Sequence, residues 1–290
     1  MTIHLVYPVN FNRISAPWSI GNNLYNYLIK NFDVKIYQWT SYEKANPKKG
    51  DILIGHAHPN PFTCFRRSMR SNLWQKKILM QPFNCDPYQV SYLYKIIQDV
   101  DIFLAITGDY WIDNIKNTIF KQWKNKIKRL DLAIDLNHYP LIKKKFNKKN
   151  NRKFIYIGND YRFNNYAKNL EYLKKIIYDY HVKYFATIGN KKIEGVKHYG
   201  WMDFKKKEAL DVVAKYDFLI TVSKFDANPV TILESMAWGL IPIVTKQCGY
   251  YRNKGIINVP LNNIGSTKKI LERYNKISFK ILNKKKKKTF

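Results

Sequence analysis

The sequence predicts an α/β fold made of two successive units, each built around a mostly parallel sheet. Three observations carry this. Apolar runs of four to six residues alternate with longer stretches of helical periodicity, the pattern of βαβ units. The alternation stops at a basic, asparagine-rich stretch, 141–153, and then restarts. The 290 residues, 46% of them apolar, suffice for two α/β domains with buried cores.

In the first half the predicted strands are 3–8, 34–39, 51–55, 77–80 and 102–106. A helix is expected over 17–31, because Pro17 suits a first helical turn and Leu24, Tyr27, Leu28 and Ile29 supply apolar positions. Stretches 89–99 and 110–121 also read as helices. In the second half strands are expected at 154–158, 184–188, 196–199, 217–222 and 241–245, with helices near 167–180, 204–215 and 229–238. The resulting organisation is a Rossmann-like domain over 1–142, a basic linker over 143–153, a second Rossmann-like domain over 154–278, and a lysine-rich tail over 279–290, the two domains facing a central cleft.

Composition excludes several classes. No apolar run approaches the roughly 18–20 residues needed to cross a bilayer. The opening segment MTIHLVYPVN reads as a strand and lacks the basic leader of a secretory signal, which favours the cytoplasm. Three cysteines, Cys64, Cys85 and Cys248, have no close spacing and read as reduced thiols rather than a disulfide framework. The net charge of +30 has two readings: a polyanionic partner, or the lysine-rich composition of an AT-rich genome. The dense runs, 143–153 and 284–288, lack the glycine–aromatic interleaving of single-strand-binding surfaces, so no specific nucleic acid is expected.

The chemistry concentrates in 217–249, DFLITVSKFDANPVTILESMAWGLIPIVTKQCG. A strand ends at Ser223, a polar loop follows, and Asn228-Pro229 opens a helix, with Asn as N-cap and Pro at the first helical position. Such a helix start offers free N–H groups and a positive dipole end to an anion. Asp226 precedes it and Glu234 lies about a turn and a half inside it. A nucleotide sugar reconciles these features, since its diphosphate suits N–H groups and its hydroxyls suit carboxylates. The competing reading has Glu234 capping its own helix or pairing with a lysine.

This segment resembles the signature of the retaining family 4 glycosyltransferases, which have the two-domain GT-B fold. Asp226, Pro229, Glu234, Met236, Ala237, Gly239, Pro242 and Gly249 occupy the places of that signature. The resemblance implies that Glu234 binds the donor ribose, that Asp226 contacts the transferred sugar, and that the amides around Asn228 to Val230, a stretch that includes Pro229, meet its ring or phosphate. Ser223, Gly158 and Gly249 fall at strand ends and turns of the same donor side. In the family an Arg and a Lys about six residues apart clamp the diphosphate, and Arg162 and Lys168 have that separation. A solvated surface pair is the alternative. Gly189 and Gly200 fall where the family has tight turns.

The first half resembles the family only in outline. GHAHPNP (55–61) is similar to its His-x-His segment, and as strand residues His56 and His58 would point the same way. A zinc pair lacks an evident third ligand, and His58 is expected to line the cleft. LMQPFN (79–84) replaces a segment that ends in a His, leaving Gln81 or Asn84 as substitutes. The first acid of the signature is Asp226 rather than Glu, and a misplacement of ~1 Å can cost ~100-fold in rate. The paired glycines after the first strand are absent, and 10–21 keeps only Gly21.

The reaction implied is metal-independent transfer of a sugar from a nucleoside-diphosphate donor to a glycan or glycoconjugate hydroxyl, with retention of configuration and no cofactor. The lysines of 284–288, beside Ile281 and Leu282, suit peripheral contact with anionic lipid at ~1 kcal/mol per lysine. Two alternatives stand: a polyanion- or nucleic-acid-binding protein on the same scaffold, and a degenerate donor-binding module without turnover.

Overall fold

The computed structural model describes residues 1–13, 17–86, 90–159 and 165–287. They form twelve strands in two parallel six-stranded sheets. The first sheet comprises β1 (Thr2–Val6), β2 (Asp33–Tyr37), β3 (Ile52–Gly55), β4 (Lys76–Pro82), β5 (Ile102–Ile106) and β6 (Ile127–Leu130), in the order β2-β1-β3-β4-β5-β6. The second comprises β7 (Phe154–Ile157), β8 (Phe185–Ile188), β9 (Lys197–His198), β10 (Phe218–Thr221), β11 (Ile241–Thr245) and β12 (Ile257–Val259), in the order β12-β11-β10-β7-β8-β9. All ten predicted strands are present. β6 and β12 are additional.

The chain divides into two compact units, Met1–Thr107 with Ile112–Leu130, and Gly108–Trp111 with Asp131–Phe290. In each sheet the strand order reverses once. The reversal falls between β1 and β3 in the first unit and between β7 and β10 in the second. At such a switch point the flanking loops leave toward opposite faces and open a crevice beyond the carboxyl ends of the strands.

β7, β8, β10 and β11 are buried at every position, as expected of parallel strands covered on both faces. Phe154, Phe185 and Phe218 stack across β7, β8 and β10, with ring centroids 4.9 and 5.2 Å apart. In the first unit, the helix after β1 spans Trp18–Leu28 and buries Gly21, Asn22 and Leu28. Tyr27 and Ile29, expected to face the core, are 66% and 45% exposed. The apolar stripe is replaced by a polar clasp: the Asn22 side chain accepts from the Asn10 amide at 2.9 Å and donates to the Asn10 carbonyl at 2.9 Å.

The expected linker is a packed part of the second unit. Lys143 is buried beside Asp217, Nζ to Oδ1 3.2 Å, and donates to the Ala214 carbonyl at 3.0 Å. Asp217 also accepts from the Asn147 and Lys153 amides at 2.7 and 2.8 Å. Arg152 is fully buried, with its guanidinium 4.7 Å from the Phe279 ring and 5.6 Å from the Phe146 ring. These contacts anchor the closing helix Phe279–Lys286. Leu282 is buried in the core of the second unit, so it is not available to lipid, although Ile281 is exposed. Among the described residues no helix is long and apolar enough to cross a membrane.

Candidate functional site

Lys168 and Asp226 flank the switch point of the second sheet. Lys168 ends the short helix Asn165–Lys168 that follows β7, and Asp226 lies in the loop after β10. Their side chains meet, Nζ to Oδ2, at 2.5 Å. Both side chains are largely buried, with 26% of Lys168 and 15% of Asp226 left accessible. Burial alone would lower the Lys168 pKa, but the charge and hydrogen bond of Asp226 outweigh it and the net shift is upward. The ammonium is therefore fixed in its charged form.

The placement of Lys168 comes from Asn169. That residue has φ 58°, a left-handed conformation that Asn tolerates better than other non-glycine residues. It breaks the helix after Lys168 and starts the next, Leu170–Tyr180. Its carboxamide donates to the Val222 carbonyl at 3.1 Å, fastening this corner to the end of β10. The Lys224 amide completes the seam by donating to the Ala167 carbonyl at 2.8 Å.

Asp226 is positioned by aromatic props and by its own loop. The Trp111 indole donates to the Asp226 and Gln247 carbonyls at 2.9 and 3.2 Å and stacks on Phe225. Phe225 stacks in turn on Tyr166, at 5.5 Å. Ser223, fully buried, holds its hydroxyl 3.4 Å from Asp226 Oδ2 and accepts from Thr245 through its carbonyl at 2.6 Å. Ser223 thus supports the carboxylate from beneath. Gly249 has φ +92°, and a Cβ there would lie 2.7 Å from the Ala227 carbonyl oxygen, so the turn can approach the Asp226 loop only as glycine.

The helix after this loop runs Val230–Trp238 with Pro229 at its N-cap, and no side chain caps it. This differs from the expectation that Asn228 would be the cap. The Asn228 carboxamide is engaged elsewhere: it accepts from the Tyr250 hydroxyl, and its Nδ2 lies 3.5 Å from Asp131. Pro229, with ψ 118°, takes the extended cap position instead. The helix start at Val230 therefore keeps its dipole end uncapped by side chains.

Glu234 projects from this same helix, half-buried, and accepts from the Tyr139 hydroxyl at 3.1 Å. Burial raises its pKa and the Tyr139 hydrogen bond works against that rise. The Tyr139 hydroxyl is pushed up to about 12 by burial and by the adjacent carboxylate. Among the described residues Glu234 neither caps its helix nor pairs with a lysine.

Gly158, at the end of β7, donates its amide to the Ile188 carbonyl at 3.0 Å. Gly189, at the end of β8, lies so close that a Cβ on it would sit 1.9 Å from the Gly158 carbonyl oxygen. Backbone rather than side chains therefore lines this edge. Arg162 lies outside the described residues.

In the first unit, β3 ends at Gly55, so His56 and His58 lie in the loop beyond it and not on the strand. Both rings nonetheless contact Trp39 edge-on, at 4.7 and 5.3 Å. Burial pulls His56 down to about 4, which keeps it neutral. His58 Nδ1 accepts from the Asn60 amide at 3.1 Å. The loop leaves β3 at the switch point of the first sheet. Gln81 is 2% exposed, and both ends of its carboxamide are used internally: Oε1 accepts from the Ala57 amide at 2.9 Å and Nε2 donates to Tyr92 at 2.9 Å. It positions the His58 loop and does not present a ligand group.

Among the described residues no group of three or more His, Cys, Asp or Glu side chains is arranged to hold a metal ion. The sequence contains one Asp-x-Asp pair, Asp99-Val100-Asp101. It precedes β5 at the amino end of the strand, and Asp101 accepts from the Lys77 amide at 2.7 Å. That edge is opposite the carboxyl ends of the strands, where the switch-point crevice opens.

Trp111, Tyr139 and Tyr250 were not singled out by sequence. Each is an aromatic residue in a stretch with no motif of its own, and each serves a polar group far away in the chain.

No protein-family model matches this chain, and no curated protein matches it. Solved structures do. WaaG, a glycosyltransferase involved in lipopolysaccharide biosynthesis, superposes with a TM-score of 0.61 at 12% identity, over 100% of this chain and 94% of its own. An alpha-glucosyltransferase in complex with UDP-glucose and DNA containing an abasic site gives 0.59 at 13% identity, over 99% and 93%. TarM gives 0.58 at 12% identity, over 84% of this chain and 52% of its own. The likeness establishes the fold class: α/β, with each unit built on a parallel six-stranded sheet, as in GT-B glycosyltransferases.

Proposed function

We propose that the protein is a glycosyltransferase that moves a sugar from a nucleoside-diphosphate donor to a hydroxyl of a glycan or glycoconjugate. The observation that carries this reading is the Lys168–Asp226 pair at the switch point of the second sheet, beside a helix start that no side chain caps and with Glu234 on that helix. Cation, open amides and two carboxylates are the groups that a diphosphate, a hexose and a ribose require. The structural neighbours add support, since one was solved with UDP-glucose and another is itself a glycosyltransferase.

In the proposed reaction the bond between the anomeric carbon and the diphosphate oxygen breaks and its electron pair leaves with the phosphate, while the acceptor oxygen bonds to that carbon and its proton passes to the departing diphosphate. The developing charge is met by Lys168, by the uncapped helix start at Val230, and by Arg162. Asp226 accepts from hydroxyls of the transferred sugar, and Glu234 from those of the ribose. His58 serves the acceptor side. We further propose retention of anomeric configuration, in line with the resemblance of 226–249 to family 4, and metal independence, because cationic side chains supply the charge. Surface polysaccharide or glycan synthesis in the cytoplasm is the setting proposed.

A thermal-shift panel of UDP-, GDP- and other activated sugars tests the reading, followed by an assay of sugar release from the sugar that stabilises most. A selective shift, abolished turnover in Glu234→Ala and retained folding of that variant are expected. A panel without any shift, or a Glu234→Ala variant that transfers sugar at the wild-type rate, overturns it.

A further inference from the structure

Outside the switch-point site, the first unit contains a half-open cavity of about 430 Å³. Its walls come from two helices, Cys64–Ser68 and Leu93–Ile97, which follow β3 and β4. Four cations line it: Arg66, Arg70, Lys77 and Lys95. Asp99 is the one acidic residue in the lining, so the cavity carries a formal charge of +3 (four basic minus one acidic). Its rim reaches Pro61, in the loop that carries His58.

The cations outnumber the single carboxylate, Asp99, among them. None of the four forms an ion pair among the described residues. Arg66 is half-buried, and its Nη1 donates to the Pro59 carbonyl at 2.7 Å, which fixes the guanidinium in place. Burial lowers its pKa, Tyr92 acts against that, and the neighbouring charge of Arg70 adds to the lowering. A set of like charges held around a concave space is a costly arrangement that a bound polyanion relieves. Guanidinium forks match phosphate oxygens bidentately, and lysines add point charges around them. A single carboxylate would leave most of the +3 unmet.

We propose that this cavity is a binding site for a compact phosphate-bearing group, separate from the donor site and independent of the donor reading. The group is either the phosphate of a soluble metabolite or the headgroup of an anionic lipid, which present the same chemistry to these side chains.

The test titrates inorganic pyrophosphate into the full chain by calorimetry, with UDP in excess to occupy any nucleotide site. The double variant Arg70→Gln/Lys95→Gln removes two exposed cations and leaves the anchored Arg66 intact. Lys183→Gln/Lys197→Gln removes the same charge from the second unit. In parallel, phosphatidylcholine vesicles with and without phosphatidic acid are sedimented with the protein. Saturable pyrophosphate binding, weakened at least tenfold in Arg70→Gln/Lys95→Gln and unchanged in the control, is the expected result. If pyrophosphate binds and vesicles do not, the occupant is soluble. If phosphatidic acid vesicles bind and pyrophosphate displaces them, it is a headgroup. The proposal is overturned if wild-type protein binds neither probe, if the cavity variant binds like wild type, or if the control loses as much. Failure of UDP to bind would count against the donor reading alone, because the cavity variant is compared with wild type under the same conditions.

Discussion

Lys168 and Asp226 are 58 positions apart in the chain and 2.5 Å apart in space, joined across the one point where the second sheet reverses its strand order. Lys168 ends the short helix that follows β7, and Asp226 lies in the loop that follows β10, the two strands on either side of that point. The Asp226 carboxylate raises the Lys168 pKa and keeps the ammonium charged.

Because Asp226 raises the Lys168 pKa above its unfolded value, the pair stabilises the fold at and below neutral pH, and the contribution is lost as pH rises through the folded Lys168 pKa. Asp226→Asn should lower stability by about 1–3 kcal/mol at pH 7. The gap between wild type and variant should narrow above about pH 10.5. Denaturant melts at pH 7 and pH 11 check this; a gap that widens with pH is the contrary result.

Tyr139→Phe removes the one hydrogen bond that opposes burial at Glu234. The Glu234 pKa should rise further, and donor binding that needs the carboxylate should fail at a higher pH than in wild type. The affinity lost near neutral pH should be of order tenfold, since a hydrogen bond to a charged group is worth about 1.5–3 kcal/mol. Nucleotide titrations across pH 5–8 read the displacement, and superimposable profiles would refute it.

Gly249→Ala places a Cβ against the Ala227 carbonyl and forces a side chain into a φ of +92°. A loss of at least about 2 kcal/mol is expected from these two terms. Nucleotide affinity should fall with it, because the displaced loop is the one carrying Asp226. Thermal melts and a nucleotide titration of the same variant measure both.

Asp217→Ala strands Lys143 as an uncompensated buried cation and frees the Asn147 and Lys153 amides. A destabilisation of roughly 3–5 kcal/mol is expected. Chemical denaturation decides, and a loss below about 1 kcal/mol would show the segment to be a true linker.

The strands buried on both faces were legible because such strands read as continuous apolar runs. β6 and β12 were not: β6 mixes charge into four residues, IKRL, and β12 has only three. The stretch 143–153 misled for a physical reason. Its lysines and asparagines read as solvated until Asp217, 74 positions after Lys143, is known to lie beside them. The Asp226–Glu234 unit was readable because its parts are close in sequence and each has a local role. The props on it were not, because nothing near Trp111, Tyr139 or Tyr250 in the chain points to the groups they serve.

The proposed donor site rests on Lys168 more than on any other residue, and calorimetric titration of the best-binding nucleoside diphosphate into wild type and Lys168→Ala tests it most directly. Saturable binding to wild type, and affinity at least tenfold weaker in a Lys168→Ala variant that remains folded, is the result expected. Equal affinities, or no nucleotide binding by the wild-type protein, would contradict the account.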